Sequence, residues 1–203
     1  MNVRYILAAF ILISIVACGK PKPNDTTTIS NDLGVEPKDA TIDQLTNMIA
    51  KNPNPECYYY RGLKYMDAED YTMAIQDLDA CIKMDSTNAV AWFNRGTSHF
   101  SLNNFDKALN DYNRAIQIEP TYTDAYFNRG VLFDTREEYE KAIPDYTKAL
   151  EIKPDFWDAM YYRGLDNLLL KKKDKACDDF KTLAEKKYED GIAAYNKYCL
   201  NKK

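Results

Sequence analysis

Residues 89–122 read AVAWFNRGTSHFSLNNFDKALNDYNRAIQIEPTY, and residues 123–156 read TDAYFNRGVLFDTREEYEKAIPDYTKALEIKPDF. Both segments carry Arg-Gly at their seventh and eighth positions. The same dipeptide occurs at residues 61–62 and 163–164, so four copies follow one another at intervals of 34 residues. A fixed period of this length is typical of helical repeat arrays, in which one small unit stacks on the next.

Other positions of the repeated unit agree as well. They are Tyr58, Trp92, Tyr126 and Met160 at position four, Ala74, Ala108, Ala142 and Ala176 at position twenty, and Leu78, Tyr112, Tyr146 and Phe180 at position twenty-four. Apolar residues recur three and four residues apart in both halves, which is typical of two amphipathic helices. The pattern, from about Cys57 to Ala184, resembles the tetratricopeptide repeat, whose signature is an aromatic residue, Leu-Gly, Tyr, Ala, Phe, Ala and Pro.

The resemblance implies an all-α fold, a right-handed superhelical solenoid of antiparallel helix pairs. We predict four repeats, the last degenerate because Asn167 and Tyr188 depart from the pattern. A half-repeat helix precedes them and a cap helix follows. The expected segments are 1–17 (signal peptide), 18–38 (lipidated Cys18 and disordered tether), 39–54 (half-repeat), 55–88, 89–122, 123–156 and 157–188 (repeats), and 189–203 (cap).

Arginine at position seven is matched by aspartate at position twenty-three in every repeat. Positions whose numbers add to about thirty lie opposite each other in an antiparallel helix pair. We therefore predict the ion pairs Arg61–Asp77, Arg95–Asp111, Arg129–Asp145 and Arg163–Asp179. Because each arginine has an acid to neutralise it, a structural role is favoured over the alternative, an anion-binding row of arginines.

The first eighteen residues have the composition of an export signal. Arg4 is followed by an apolar run, residues 6–16, that is too short for a mature membrane helix. The run ends at Ala17-Cys18, which resembles a bacterial lipobox. The resemblance implies a lipid anchor on Cys18 and a place in the bacterial cell envelope. Gly19, instead of Asp, follows the cysteine, which favours the outer membrane over the inner one; the domain would face either the periplasm or the outside. A plain secretory signal is the alternative.

The remaining cysteines are even in number, which in an exported chain suggests disulfides. Cys57 and Cys81 satisfy the antiparallel rule used above, and Cys177 lies on a helix against which the cap helix with Cys199 is expected to pack. We predict the disulfides Cys57–Cys81 and Cys177–Cys199. The alternative is four buried thiols that act as small hydrophobic residues.

The composition excludes several functional classes. The chain has 27 Lys and Arg against 31 Asp and Glu and a single histidine, His99. This balance argues against a nucleic-acid partner. One histidine cannot supply a multi-histidine metal site or a His-dependent catalytic triad, and we interpret His99 as a satisfied core residue. We expect no cofactor, no metal and no catalytic site.

In the family that the repeats resemble, the first helices line a concave binding face. The corresponding residues here are aromatic at position five, mixed at position six and mostly acidic at position two, with Asp67 and Asp134 adding charge. The candidate groove residues are Tyr59, Phe93, Asn94, Phe127, Asn128, Tyr161, Tyr162, Asp124 and Asp158. The family's groove for C-terminal carboxylates also needs Lys and Arg, which these positions lack, so that specificity is not carried over.

These features favour a non-catalytic scaffold that binds a protein or extended peptide with basic residues through its concave face. A second hypothesis is an envelope lipoprotein that contacts glycan or peptidoglycan through a Tyr-rich surface, since the chain has 16 Tyr. Repeat arrays of one fold serve many unrelated functions, so the sequence does not name the partner.

Overall fold

The computed structural model describes residues 35–200. This part of the chain contains helices and no strands. The ten α-helices are α1 (Ile42–Lys51), α2 (Pro55–Asp67), α3 (Tyr71–Met84), α4 (Ala89–Ser101), α5 (Phe105–Ile118), α6 (Thr123–Thr135), α7 (Tyr139–Ile152), α8 (Trp157–Leu169), α9 (Lys173–Glu185) and α10 (Glu189–Ala194). A 3₁₀ turn, Pro37–Asp39, precedes them, and a π-helix, Tyr195–Leu200, follows.

The helices pack in consecutive antiparallel pairs, α2 with α3, α4 with α5, α6 with α7 and α8 with α9. We call α2, α4, α6 and α8 the first helices and α3, α5, α7 and α9 the second helices. The second helices α3, α5 and α7 also pack on the next first helix, and α9 packs on α10. Among the first helices, α4 contacts both α2 and α6. The chain therefore forms the predicted solenoid, with a core that runs along its length. No helix among residues 35–200 has the length and apolarity needed to cross a membrane.

Glycine at position eight sets the distance between the two helices of a pair. A Cβ atom added to Gly130 would lie 2.6 Å from the Tyr146 ring, and one added to Gly164 would lie 2.6 Å from the Phe180 ring. The rings of Tyr146 and Phe180 are fully buried. The second helix thus packs an aromatic ring directly on the backbone of the first, which only glycine permits.

The turn inside each pair has a residue in the left-handed conformation at the same repeat position. These residues are Glu69, Asn103, Glu137 and Lys171, with φ between 58° and 60°, and Lys187 repeats the conformation before α10. Asp70, just after the first of them, donates its backbone N–H to the Tyr65 carbonyl at 2.8 Å. This bond satisfies a carbonyl at the end of α2 and closes the turn.

The N-terminal end of the fold begins before the predicted half-repeat helix. The hydroxyl of Thr41 accepts from the backbone of Gln44, whose side chain accepts from the Thr41 backbone, so a capping box starts α1. Pro37 is buried and Val35 packs on the core cluster that contains Leu45. The expectation that the tether extends to Lys38 is therefore wrong for residues 35–38. The predicted signal peptide, Cys18 and the rest of the tether lie outside the described residues.

The C-terminal end is joined to the last repeat by a disulfide. Cys177 of α9 and Cys199 of the π-helix are bonded, with their Cα atoms 5.7 Å apart. The Ala194 side chain packs with Phe180 and Leu183, so the end of the chain covers the last apolar face. The predicted disulfide Cys177–Cys199 is confirmed, although the cap is a short α-helix followed by a π-helix.

The other predicted disulfide, Cys57–Cys81, is wrong, since both residues are buried free cysteines. They belong to different core clusters. Cys57 packs with Leu45 and Ile49 on the α1 side of α2, whereas Cys81 packs with Ala91 on the side of α3 that meets α4. The antiparallel rule placed the two residues opposite each other along the helix pair, but it did not fix the direction in which each side chain points.

Candidate binding groove

The first helices contact one another along one side of the solenoid. The Asn94 amide donates to the Tyr59 hydroxyl at 3.4 Å, and the Asn128 amide donates to the Thr97 hydroxyl at 3.5 Å. The ring of Phe127 meets that of Tyr162 edge-on at 5.8 Å. The structure thus brings the candidate residues of positions five and six together in a row, at the seams between successive first helices.

The aromatic residues at position five pack into the body of the solenoid. Phe93, Phe127 and Tyr161 each contact the ring at position twenty-four of their own repeat, at centroid distances of 5.9, 5.8 and 6.1 Å. Each also contacts an aromatic residue at the end of that repeat. These contacts are Phe93–Tyr122 at 5.0 Å, Phe127–Phe156 at 4.8 Å and Tyr161–Tyr188 at 6.1 Å. The position-five side chains are half-buried, so part of their surface supports the fold and part lines the groove.

The contacts with Tyr122, Phe156 and Tyr188 were missed at the level of sequence. An aromatic residue near the end of three successive repeats was the signal, and it was overlooked because these residues lie outside the helices. Tyr122, Phe156 and Tyr188 thus add three rings to the row of position-five aromatic residues. Aromatic pairs at such distances stabilise the packing by about 0.5–1.5 kcal/mol beyond area burial.

The acidic residues of the groove differ in their exposure. Asp158 is exposed and accepts a hydrogen bond from the Tyr188 hydroxyl at 2.6 Å. Asp124 is half-buried, and burial raises its pKa while the charge of Lys153 acts to lower it. Asp134, in contrast, is only 6% exposed. The expectation that Asp134 adds charge to the groove surface is therefore wrong, because its carboxyl group faces the seam between α6 and α8.

The two groove asparagines keep hydrogen-bonding capacity. Each donates one amide hydrogen over a long distance, 3.4 Å for Asn94 and 3.5 Å for Asn128. A side-chain amide has two N–H donors and an acceptor oxygen. Half-buried amides of this kind are suited to pair with the backbone of an extended peptide laid along the groove.

The predicted arginine–aspartate pairs are all formed. In each pair the arginine Nε and Nη2 donate to the two oxygens of one carboxylate, as with Arg129 and Asp145 at 2.7 and 2.6 Å. The other three pairs, Arg61–Asp77, Arg95–Asp111 and Arg163–Asp179, have distances between 2.6 and 3.0 Å. Bidentate, charge-assisted hydrogen bonds of this type are among the strongest hydrogen bonds in proteins.

Each arginine also bonds to the preceding repeat, which the sequence did not reveal. Nη1 of Arg129 donates to Asn113 of α5 at 2.6 Å, and the same atom of Arg95 donates to Asp79 of α3 at 2.5 Å. Arg61 and Arg163 reach Thr46 and Thr147 in the same way. Because both ends of the guanidinium are bonded within the chain, the arginine row joins neighbouring repeats and has little capacity left for an anionic ligand.

An aromatic ring at position four completes the arrangement in three repeats. The guanidinium carbon lies 4.6 Å from the Trp92 ring centre in the case of Arg95, and 5.5 Å from that of Tyr126 in the case of Arg129. Burial acts to lower the pKa of Arg129, but the hydrogen bonds and charge of Asp145 outweigh it, so that its pKa is raised. The arginines thus contribute to the packing between repeats.

His99 is buried as expected, at 8% exposure, but it is not fully satisfied. Its Nδ1 atom has no hydrogen-bond partner among the described residues. Burial lowers its pKa, which the charge of Asp111 opposes, and Arg95 and Lys107 lower it further. His99 lines a cleft of about 410 Å³ beside Trp92 and Arg95. The side chain helps to fill the space between α4 and α5.

The comparison with protein families gave matches along the whole array. Models described as tetratricopeptide repeat match residues 55–88, 89–122, 123–156 and 158–190. None of the curated proteins searched matches the chain.

Solved structures with the same fold include a structure of MamA, with 30% identity and a TM-score of 0.70, covering 76% of this chain and 91% of MamA. The first repeat domain of Spaghetti (RPAP3), solved with the HSP90 peptide SRMEEVD, is 28% identical with a TM-score of 0.56, covering 58% of this chain and 93% of that one. YrrB is similar in fold alone, at 17% identity and a TM-score of 0.67 over 76% of this chain and 81% of YrrB.

Proposed function

Because this chain belongs to the tetratricopeptide repeat family, we propose that it is a non-catalytic scaffold that binds a protein or an extended peptide along its first helices. The observation that supports this most directly is the continuous row of half-buried aromatic and amide side chains at positions five and six. Aromatic side chains with polar neighbours are enriched where proteins bind one another. The Spaghetti domain, 28% identical over its matched part, was solved with a peptide bound.

We further propose that Cys18 carries a lipid and holds the domain at the bacterial cell envelope, in the outer membrane. The support is the apolar run that ends at Ala17-Cys18 and the Pro-, Lys- and Thr-rich stretch that follows it. Metabolic labelling with an alkyne fatty acid tests this in the full-length chain. The wild type is expected to be labelled and the Cys18→Ser variant unlabelled, and an unlabelled wild type would refute the anchor.

Partner binding is tested best with variants at exposed side chains, which leave the packed rings of positions five and twenty-four in place. Alanine at Phe93 or Phe127 removes a ring that packs on two others, so loss of binding there would not separate the groove from the fold. Glu56 and Asp158 are exposed acids of position two, and Glu140 and Asp174 are exposed acids of the second helices. The pairs Glu56→Lys with Asp158→Lys and Glu140→Lys with Asp174→Lys change the charge equally on the two faces.

The full-length protein, solubilised in detergent, is used to capture partners from its own envelope. We expect a protein held by the wild type and the second-helix variant but lost by the groove variant. Equal capture by all three would contradict a role for the groove. Retention on isolated peptidoglycan, with no protein captured, would support the glycan hypothesis instead. Tyr112 and Tyr146 are buried in the core and are therefore not available to a glycan.

A further inference from the structure

A buried acidic pair lies at the seam between α6 and α8, beneath the proposed groove. Asp134 of α6 is 6% exposed and Asp166 of α8 is 1% exposed. Their carboxyl groups lie within hydrogen-bond reach of each other. The hydroxyl of Tyr146 faces both acids from α7, and it has no hydrogen-bond partner among the described residues. Tyr162 of α8 borders the pair as well, with its ring stacked at 6.0 Å on that of Tyr146.

The preceding repeat shows that the fold does not require this arrangement. There the buried Tyr112 hydroxyl donates to the Thr97 hydroxyl at 3.4 Å, and the amide of Asn128 bonds to the same Thr97. Neutral groups thus satisfy the hydrogen-bonding hydroxyl of Tyr112, which lies at the same repeat position as Tyr146. At the next seam Val131 and Tyr162 replace the threonine and the asparagine, and two carboxyl groups take the polar role.

No cation neutralises the acidic pair within the part of the chain that the structure describes. None of the ion pairs formed there includes Asp134 or Asp166, and no positive charge lowers the pKa of either acid. Burial raises the pKa of Asp134, and burial together with the charge of Asp134 raises the pKa of Asp166 further. A buried carboxylate without a counter-ion is costly, and strongly perturbed acids with unsatisfied neighbours mark functional sites.

We propose that Asp134 and Asp166 receive the ammonium group of a lysine side chain from the bound partner. This inference rests on the proposed use of the groove and adds the chemistry of one partner residue. The ammonium group provides three donors to the two carboxylates and the Tyr146 hydroxyl, and the ring of Tyr146 attracts its charge. A compact charge on a slender aliphatic stem fits a narrow seam between two helices better than the planar fork of arginine.

A divalent metal ion fits the site less well. Calcium takes six to eight oxygen ligands and magnesium needs a near-octahedral set. Among residues 35–200 no three histidine, cysteine or acidic side chains are grouped so that they would hold a metal. Two carboxyl groups and a phenol match a single monovalent cation.

Tyr162 is the member of this cluster that reaches the groove surface, since it is half-buried while Asp134, Asp166 and Tyr146 are buried. Its ring packs on Tyr146 and Phe127 and covers the seam. Entry of a lysine side chain requires this ring to turn aside. A Tyr162→Ala variant lacks the ring that covers the seam, so it is expected to bind lysine more tightly.

Binding is coupled to the loss of a proton. In the free protein the acids bond to each other by sharing a proton, which Asp166 holds because its pKa is the higher of the two. The entering ammonium favours both carboxylates in their charged form, so this proton leaves Asp166 for the solvent. By linkage, affinity rises with pH by up to about tenfold per pH unit as long as the free pair retains its proton.

The probe is the pentapeptide acetyl-Gly-Gly-Lys-Gly-Gly-amide, and its control carries norleucine in place of lysine. Backbone amide NMR shifts of the full-length protein in detergent give the affinity, and ¹³C shifts of the Asp carboxyl carbons report the proton. We expect shifts at α6 and α8 with the lysine peptide, none with the norleucine peptide, and binding about tenfold tighter at pH 8 than at pH 7. The pKa of Asp166 is expected to fall when the lysine peptide is bound.

Asp166→Asn keeps the shape of the side chain and is expected to bind the lysine peptide weakly and without pH dependence. Tyr162→Ala is expected to bind it more tightly than the wild type. Equal shifts with both peptides, or an Asp166 carbon signal that the lysine peptide leaves unchanged, would overturn the proposal. Such a result would leave the groove function standing if envelope capture still depended on Glu56 and Asp158. If Asp166→Asn does not fold, the comparison of the two peptides on the wild type decides.

Discussion

Replacing Arg129 by alanine tests the role of the arginine row most directly. The substitution removes both hydrogen bonds to Asp145 and the hydrogen bond to Asn113. The arginine's links from α6 to α7 and from α6 to α5 are therefore lost at the same time. Asp145 is 5% exposed and is left buried with no cation to replace Arg129 in its bidentate pair. We expect a marked loss of stability with the helical fold retained.

The magnitude follows from burial. Breaking a buried ion pair by removing one partner costs about 3–5 kcal/mol, because the remaining charge has lost its compensation. The Arg129 side chain is 20% exposed and that of Asp145 is 8% exposed, so some water reaches the pair. We therefore expect a loss of about 3 kcal/mol, at the lower end of that range. For a chain of this size this corresponds to a decrease in melting temperature of about 6–12 °C.

Urea denaturation followed by circular dichroism measures the free energy of unfolding. Arg136→Ala is the matched control, because Arg136 pairs with Asp106, whose side chain is 93% exposed. Exposed pairs contribute about 0–1 kcal/mol. A double variant, Arg129→Met with Asp145→Leu, removes both charges and is expected to be more stable than Arg129→Ala. If Arg129→Ala lost no more stability than Arg136→Ala, the arginine row would not be structural.

Three further predictions concern packing, the C-terminal cap and the buried acids. Gly130→Ala places a Cβ atom 2.6 Å from the Tyr146 ring, and we expect a loss of about 1–3 kcal/mol in urea denaturation. Gly62→Ala, where the nearest atom is 3.1 Å away on Leu78, is expected to lose less. Cys199→Ser removes the disulfide that closes a 22-residue separation, so we expect a loss of up to about 3 kcal/mol and faster proteolysis at α10. A reducing agent should lower the stability of the wild type and speed its proteolysis, but it should leave both unchanged in Cys199→Ser. The pKa of Asp166 is raised to about 9 in the fold, so its contribution to stability is present below the ordinary pKa of an aspartate and is lost as pH rises towards about 9. Melting temperatures measured from pH 5 to pH 9 should therefore fall more steeply for the wild type than for Asp166→Asn, and parallel profiles would contradict this.

The sequence determined the architecture because its information was periodic. A 34-residue interval between Arg-Gly dipeptides specifies a stack of equal units, and apolar spacing specifies two helices in each. The pairing of Arg129 with Asp145 followed from counting, since both residues recur at constant positions and antiparallel helices fix which positions are level. The disulfide Cys177–Cys199 followed from packing and not from counting, because a cap helix that covers the last exposed face brings Cys199 against α9.

Counting positions shows which residues of a helix pair lie at the same level, but it does not show the direction in which their side chains point. The tertiary structure was needed for that direction. Cys57 and Cys81 are level with each other but point to opposite neighbours, so they remain apart. The half-burial of the groove aromatics depends on rings contributed from outside the helices, such as Tyr122.

Asp134 and Asp166 lie at different positions of the repeat, so no periodicity relates them. They meet because α6 and α8 pack side by side, with α7 behind them to provide Tyr146. The repeat period, carried by local spacing, thus determined the fold and the arginine row. The proximity and the burial of the two acids were determined only by the packing of three helices. Neither can be seen in the sequence, because both arise from the complete stack.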